Sequence, residues 1–104
     1  MKKKVIITKQ ADREVKKFSH EVQAKVRAAF WVLERDGKLV EPYGKKLDHG
    51  LFEIRIKHKG QWRVIYAYFL KKHIVVLSAF HKKTKQTPIK ELNKARKRLK
   101  GYQS

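Results

Sequence analysis

The sequence predicts a single α+β domain, and three observations carry that prediction. A helical stripe of apolar residues fills positions 22–33, strict two-residue alternation takes over from Leu51, and a basic amphipathic stripe follows Thr87-Pro88. Helices and strands that come in runs rather than in alternation build α+β architectures. With 104 residues there is room for one core and not two, so residues 1–104 read as one domain.

Each element has its own signal. Val5-Ile6-Ile7-Thr8 is a short β-branched run and reads as a strand. Thr8 then caps a helix with apolar positions Ala11, Val15 and Phe18. Ser19 caps a second helix, whose stripe is Val22, Val26, Ala29, Phe30 and Leu33 and whose stop is Gly37. Residues 38–50 hold Pro42, Gly44 and Gly50 and read as a loop. Strands follow from Leu51, from Gln61 or Trp62 to Phe69, and from His73 to Phe80. The last is apolar without alternation from Ile74 to Leu77, as expected of a central strand covered on both faces. Thr87 and Pro88 read as N-cap and first position of a helix with Ile89, Leu92, Ala95 and Leu99 inward, Gly101 as its stop and a fraying tail over 101–104.

Charge is where the composition departs from the ordinary. Twenty-eight Lys and Arg face nine acids, a formal net charge of +19. Residues 1–50 hold 13 basic and 7 acidic side chains, whereas residues 51–104 hold 15 and 2, so an anion belongs on the second half. The absence of cysteine excludes disulfides and thiol chemistry and fits a cytoplasmic protein. Met1-Lys2-Lys3-Lys4 precedes only three apolar residues, too few for a signal peptide, and no run has membrane-spanning length, so no membrane association is expected. There is no Gly-rich phosphate loop, serine triad or metal-spaced ligand set, which leaves metal and small-molecule cofactors unassigned.

The hairpin of the second and third strands fixes side-chain parity. A four-residue loop pairs Arg63 with Ile56 and sends the arginine to the apolar side. The three-residue loop His58-Lys59-Gly60, with Gly60 left-handed, pairs Arg55 with Arg63 and puts Phe52, Ile54, Ile56, Trp62, Val64 and Tyr66 together. Glu53, Arg55, Lys57 and Arg63 then share the other face. Like charges directly opposite on a sheet repel. Either Glu53 neutralises the pair, or an anion sits there; one glutamate against three cations favours the anion. His81-Lys82-Lys83-Thr84-Lys85-Gln86 leaves the last strand beside this face and adds charge suited to phosphate.

These segments resemble a known family. Leu51-Phe52-Glu53-Ile54-Arg55 with Gly60-Gln61-Trp62-Arg63-Val64-Ile65-Tyr66, and Ala79 to Pro88 with Glu91 and Ala95-Arg96, are similar to the core motifs of RelE/ParE-superfamily toxins, in the HigB-like or phage Gp49-like branch. The resemblance implies the RelE fold, a cognate acidic antitoxin as partner, and ribosome-dependent mRNA cleavage in the A site with no metal. It implies Arg55, Arg63 and Lys82 as stabilisers of the transition-state charge, with His81, ahead of His58, as the proton carrier, and a lysine whose pKa is lowered by the surrounding positive charge as the alternative. RNA contacts then fall to Lys57, His58, Lys83, Lys85, Lys90 and Lys94. His20, His49 and His73 read as ordinary polar residues. Two alternatives stay open at this level: a ParE-like gyrase inhibitor, and an RNA- or ribosome-binding module without catalysis.

Overall fold

The computed structural model describes residues 2–103; Met1 and Ser104 lie outside the described residues. The order is β1 (Lys4–Ile7), α1 (Lys9–Lys16), α2 (His20–Asp36), β2 (Gly44–Lys46), β3 (Leu51–Lys57), β4 (Gln61–Phe69), β5 (His73–Lys82) and α3 (Ile89–Gln103). The five strands form one sheet in the order β1-β5-β4-β3-β2, antiparallel except for the parallel β1–β5 pair. Helices α1 and α2 cover one face, and α3 covers the other. Among the described residues no helix is long and apolar enough to cross a membrane.

Local chemistry explains the first half. Thr8 and Ser19 accept hydrogen bonds from the Ala11 and Val22 amides, capping α1 and α2, and Gly37 ends α2 at φ 77°. The stripes of these helices bury Ala11, Phe18, Val22, Val26 and Leu33 against Ile54, Ile56, Val64, Tyr66, Ile74, Val76 and Ala79. A second core lies under α3, where Ala95, Leu92 and Leu99 meet Leu51, Ile65, Ala67, Val75 and Leu77. Each fully buried aliphatic side chain here contributes about 1.5–3 kcal/mol. β5 lies between β1 and β4 with Ile74 to Ala79 all buried, as its unbroken apolar run predicts.

Three expectations need correction. The 38–50 stretch is not all loop: Gly44–Lys46 pair with Phe52–Ile54 as β2. A Cβ at Gly44 would come within 2.6 Å of Leu39 Cβ, so only glycine fits that packing. In the β3–β4 turn Gly60 takes the positive φ expected of it, at 141°, and Lys59 before it stands at φ 50°. Thr87 does not cap α3 with its side chain; the Pro88 carbonyl accepts the first amide bonds, from Glu91 and Leu92, while the Thr87 hydroxyl donates to Glu53. Gly101 does not stop α3, which runs on through Gln103 because Tyr102 packs edge-on against Phe69 at 5.3 Å.

The edge of β5 is closed by side chains. β1 pairs only with residues 73–76, and beyond it the Ala79 amide donates to Glu14 while the Leu77 carbonyl accepts from Arg98. Glu14 and Arg98 bond to each other through both oxygens, at 2.8 and 3.1 Å, so α1 and α3 meet around the free edge.

Candidate functional site

The register pairs Arg55 with Arg63 and Lys57 with Gln61, as the three-residue loop requires. Glu53, opposite Ile65, lies on the same face, and so does Lys45, its partner across β2. This face is not polar throughout. One end carries the second core under α3, and the other, towards the β3–β4 turn, carries the charges.

Glu53 is the hub. It is 1% exposed and accepts from Arg55 Nε at 3.0 Å and from Thr87 Oγ1 at 2.9 Å, while Arg63 Nε stands 3.7 Å away. Arg63 is buried as well, with a 6% exposed side chain. Its Nη1 donates to Gln61 Oε1 and to the Trp62 carbonyl, but its Nε has no hydrogen-bond partner. Burial is the first cause that lowers the Arg63 pKa, with Arg55 adding to it and Glu53 opposing. The Lys82 ammonium is also held below the ordinary lysine range, first by burial and next by Arg63, with Arg55 and Lys45 contributing and Glu53 opposing. Lys45, Arg55, Arg63 and Lys82 thus gather about a single carboxylate, with Lys57 further along the same face. A buried guanidinium with unspent hydrogen-bonding capacity in such surroundings is poised for an anion.

Lys82 reaches this face because of a bulge. Ile65 pairs with Ser78 but Tyr66 pairs with Val76, so Leu77 is the extra residue and side-chain parity reverses after it. Phe80 and Lys82 then join Arg63 and Gln61, while His81 is sent to the other face. There it stacks on Trp62, with ring centroids 4.2 Å apart and planes 18° from parallel. His81 is therefore not gathered with Arg55, Arg63 and Lys82, contrary to expectation.

Beside the arginines a groove of about 960 Å³ runs round the free edge of β3. Its walls include Ala29, Val32, Leu39, Tyr43, Ile54 and Ile56, and Arg35, Asp36, Arg55 and Arg63 line it as well. β2 stops short of this part of β3, where the Arg55 amide bonds to the Tyr43 carbonyl instead. Among the described residues no three His, Asp or Glu side chains converge as a metal site would need.

Comparison with known proteins gives the family and the fold of the chain. Residues 13–100 match the model of the phage-derived protein Gp49-like family. The chain belongs to the Gp49-like family. Among curated proteins none matches it in sequence. Solved structures give the fold. A mutant of the Escherichia coli toxin RelE with two arginines replaced by alanine, in its free state, superposes with a TM-score of 0.73 at 17% identity, over 94% of this chain and 98% of that one. The Mycobacterium tuberculosis toxin–antitoxin complex RelBE2 matches with a TM-score of 0.62 at 23% identity, over 79% of this chain and 100% of that one. The intact E. coli RelBE complex matches at 0.62 and 17%, over 77% and 96%. The fold is that of the RelE toxins.

In this Gp49-like protein the remaining candidates divide. Lys57 is exposed on the arginine face, and Lys83 and Lys85 are exposed on the 83–88 connection, which the Thr87–Glu53 bond pins to that face. His58 sits in the turn, where its carbonyl accepts from Trp62 Nε1. Lys90 is exposed at the start of α3, but Lys94 is engaged by Glu91 at 3.2 Å and Glu14 at 3.6 Å, so it is not a free cation. Lys45 and Gln61 were missed. Lys45 was hidden because its strand reads as loop, whereas Gln61, two residues before Arg63 on the same strand, shares its face by alternation and was passed over because it carries no charge.

Proposed function

We propose that this protein is the toxin of a type II toxin–antitoxin system, HigB-like in kind, and that it cuts mRNA on the ribosome without a metal. The observation that carries the reading is the Arg55–Arg63 pair with Lys82 beside it, five cations on one face balanced by Glu53 alone. Both RelBE structures with this fold are toxin–antitoxin complexes, which supports an antitoxin partner here. A chain of net charge +19 calls for an acidic one.

In this reading the ribose 2′-OH attacks the adjacent phosphorus. The O2′–P bond forms and the P–O5′ bond breaks, leaving a cyclic phosphate and a 5′-hydroxyl. One proton leaves O2′ and one reaches O5′. Arg55 and Arg63 hold the phosphate and stabilise its added charge. Lys82, whose lowered pKa eases loss of its proton, serves proton transfer, which favours the lysine alternative over His81. The aliphatic wall of the groove suits a base beside the scissile phosphate, and Lys57, Lys83, Lys85 and Lys90 track the backbone on either side.

The test is to mix the protein with translating ribosomes and map mRNA ends. Cuts inside the A-site codon are expected. Arg63→Ala should lower single-turnover cleavage by about two orders of magnitude, as loss of one donor from a preorganised site does, while ribosome binding changes little. Equal losses in binding and cleavage would make Arg63 part of a basic surface only. Intact mRNA with blocked gyrase supercoiling would sink the reading.

A further inference from the structure

A second charged surface lies on the outer side of α2 and the N-terminal strand. On α2, Arg27, Trp31 and Arg35 are spaced by four and share one outward stripe. Trp31 is 61% exposed. The Arg35 guanidinium lies over its ring, 4.6 Å from the centroid, held there by two 2.8 Å bonds to Asp36. The N-terminal strand runs alongside, and Lys2, Lys3 and Lys4 line a cleft of about 330 Å³ with Trp31, Glu34 and Arg35.

The local acids are already committed. Glu34 accepts from the Val5 amide, and Asp36 pairs with Arg35. Lys3 donates to the Lys71 carbonyl, but Lys2, Lys4 and Arg27 are exposed and form no ion pair among the described residues. A single exposed tryptophan needs no explanation. One with a guanidinium fixed over it, rimmed by unpaired cations, does.

We infer that this surface is a second RNA-binding site, in which a base of a single strand stacks on Trp31 while Arg27, Lys2 and Lys4 hold the flanking phosphates. A partner must offer negative charge and a flat ring at short spacing, and one nucleotide supplies both. An acidic protein segment supplies the charge without the ring. The site has its own ring and its own cations. Trp31 and the N-terminal lysines line the smaller cleft and not the groove, whereas Arg35 lines both, so the two surfaces adjoin along α2. The inference rests on the proposed function only in taking RNA as the ligand.

The experiment titrates the full chain with a 2′-O-methyl oligoadenylate of roughly eight nucleotides, which cannot be cleaved for want of a 2′-hydroxyl. Tryptophan quenching and the anisotropy of labelled oligonucleotide report binding. Trp31→Ala should abolish most of the quenching and weaken binding by about tenfold or more, the usual effect of removing a stacking ring. Trp31→Phe should keep most of the affinity. An abasic strand of equal length should bind wild type and Trp31→Ala alike, because it has phosphates and no rings. Circular dichroism checks that both variants fold. Equal affinity of Trp31→Ala and wild type for the oligoadenylate overturns the inference. So does a Trp31→Ala defect confined to an acidic peptide, which would make the surface a protein contact. Arg63→Ala should leave the Trp31 quenching intact, so failure of the cleavage reading and failure of this site give different results.

Discussion

Glu53 decides how much charge the arginine face can tolerate. Its carboxylate is buried and faces two guanidiniums and a hydroxyl, so Glu53→Gln leaves Arg55 and Arg63 opposed without a counter-charge. Removing one member of a fully buried pair costs about 3–5 kcal/mol. Arg55 is 30% exposed and water relieves part of its charge, so roughly 2–4 kcal/mol is expected, seen as a lower urea midpoint with an unchanged slope. Millimolar sulfate should restore more stability to Glu53→Gln than to the wild type; equal stabilisation would mean that no anion binds between the arginines. The same substitution should act on Lys82. Glu53 raises the Lys82 pKa against burial and the arginines, so without it the pKa falls further, as NMR of dimethylated lysines can show. The sign for stability follows. The native state binds this proton less tightly than the unfolded chain, whose lysines titrate near about 10.4. The Lys82 contribution is therefore unfavourable below its native pKa and is relieved as pH rises from that value to the unfolded one. Lys82→Met should flatten that rise.

At the scale of elements, what was legible in the sequence is what has a period or a cap. The two early helices with their Thr8 and Ser19 caps, and the β3–β4 register that opposes Arg55 to Arg63, were all readable, because alternation and loop length admit one consistent solution. The bulge at Leu77 was not. Ile74 to Phe80 is apolar on both faces, apart from Ser78, so a parity reversal leaves no trace in the pattern, and His81 and Lys82 exchange faces unannounced. β2 escaped for a related reason: three residues with glycine first and lysines after carry no strand signal. The Glu14–Arg98 pair was equally invisible, because it joins residues 84 apart. It substitutes for a neighbouring strand at the free edge of β5, which gives it a consequence beyond its charges. Glu14→Ala and Arg98→Ala should each destabilise by about 1–3 kcal/mol through backbone groups left unpaired. A double-mutant cycle should show a coupling above about 1 kcal/mol; additive losses would mean that the two side chains serve the edge independently. Gly60 gives a second test. Alanine there must adopt φ 141°, and its Cβ would meet His81 Nε2 at 2.8 Å, so a loss of about 1–3 kcal/mol is expected together with a disturbed Trp62–His81 stack.

For the whole molecule the controlling quantity is the spacing of charges relative to the screening length. The chain measures 35 × 28 × 24 Å with a radius of gyration of 12.5 Å. At 0.01 M salt the Debye length is about 30 Å, so every lysine and arginine feels nearly all the others; at 1 M it is about 3 Å and only contacts remain. Among the described residues Asp12, Glu14, Asp36, Glu53 and Glu91 are the acids in ion pairs, which leaves most of the 28 cations unopposed. The unfolded chain spreads the same charge over a larger volume and relaxes the repulsion, so low salt favours unfolding. Raising sodium chloride from 0.01 to 0.5 M should therefore raise the melting temperature by roughly 5 °C or more, equivalent to about 1 kcal/mol in a domain of this size. Local ion pairs predict the opposite slope, because salt weakens them. A binding polyanion adds its own term through mass action, since it prefers the dense charge of the native surface. Heparin at micromolar concentration in 0.01 M salt should accordingly match or exceed the effect of 0.5 M sodium chloride, and the two should not add. A melting temperature that stays flat or falls with salt would mean that the charges are balanced locally, and the case for an obligate anionic partner would lose its physical basis.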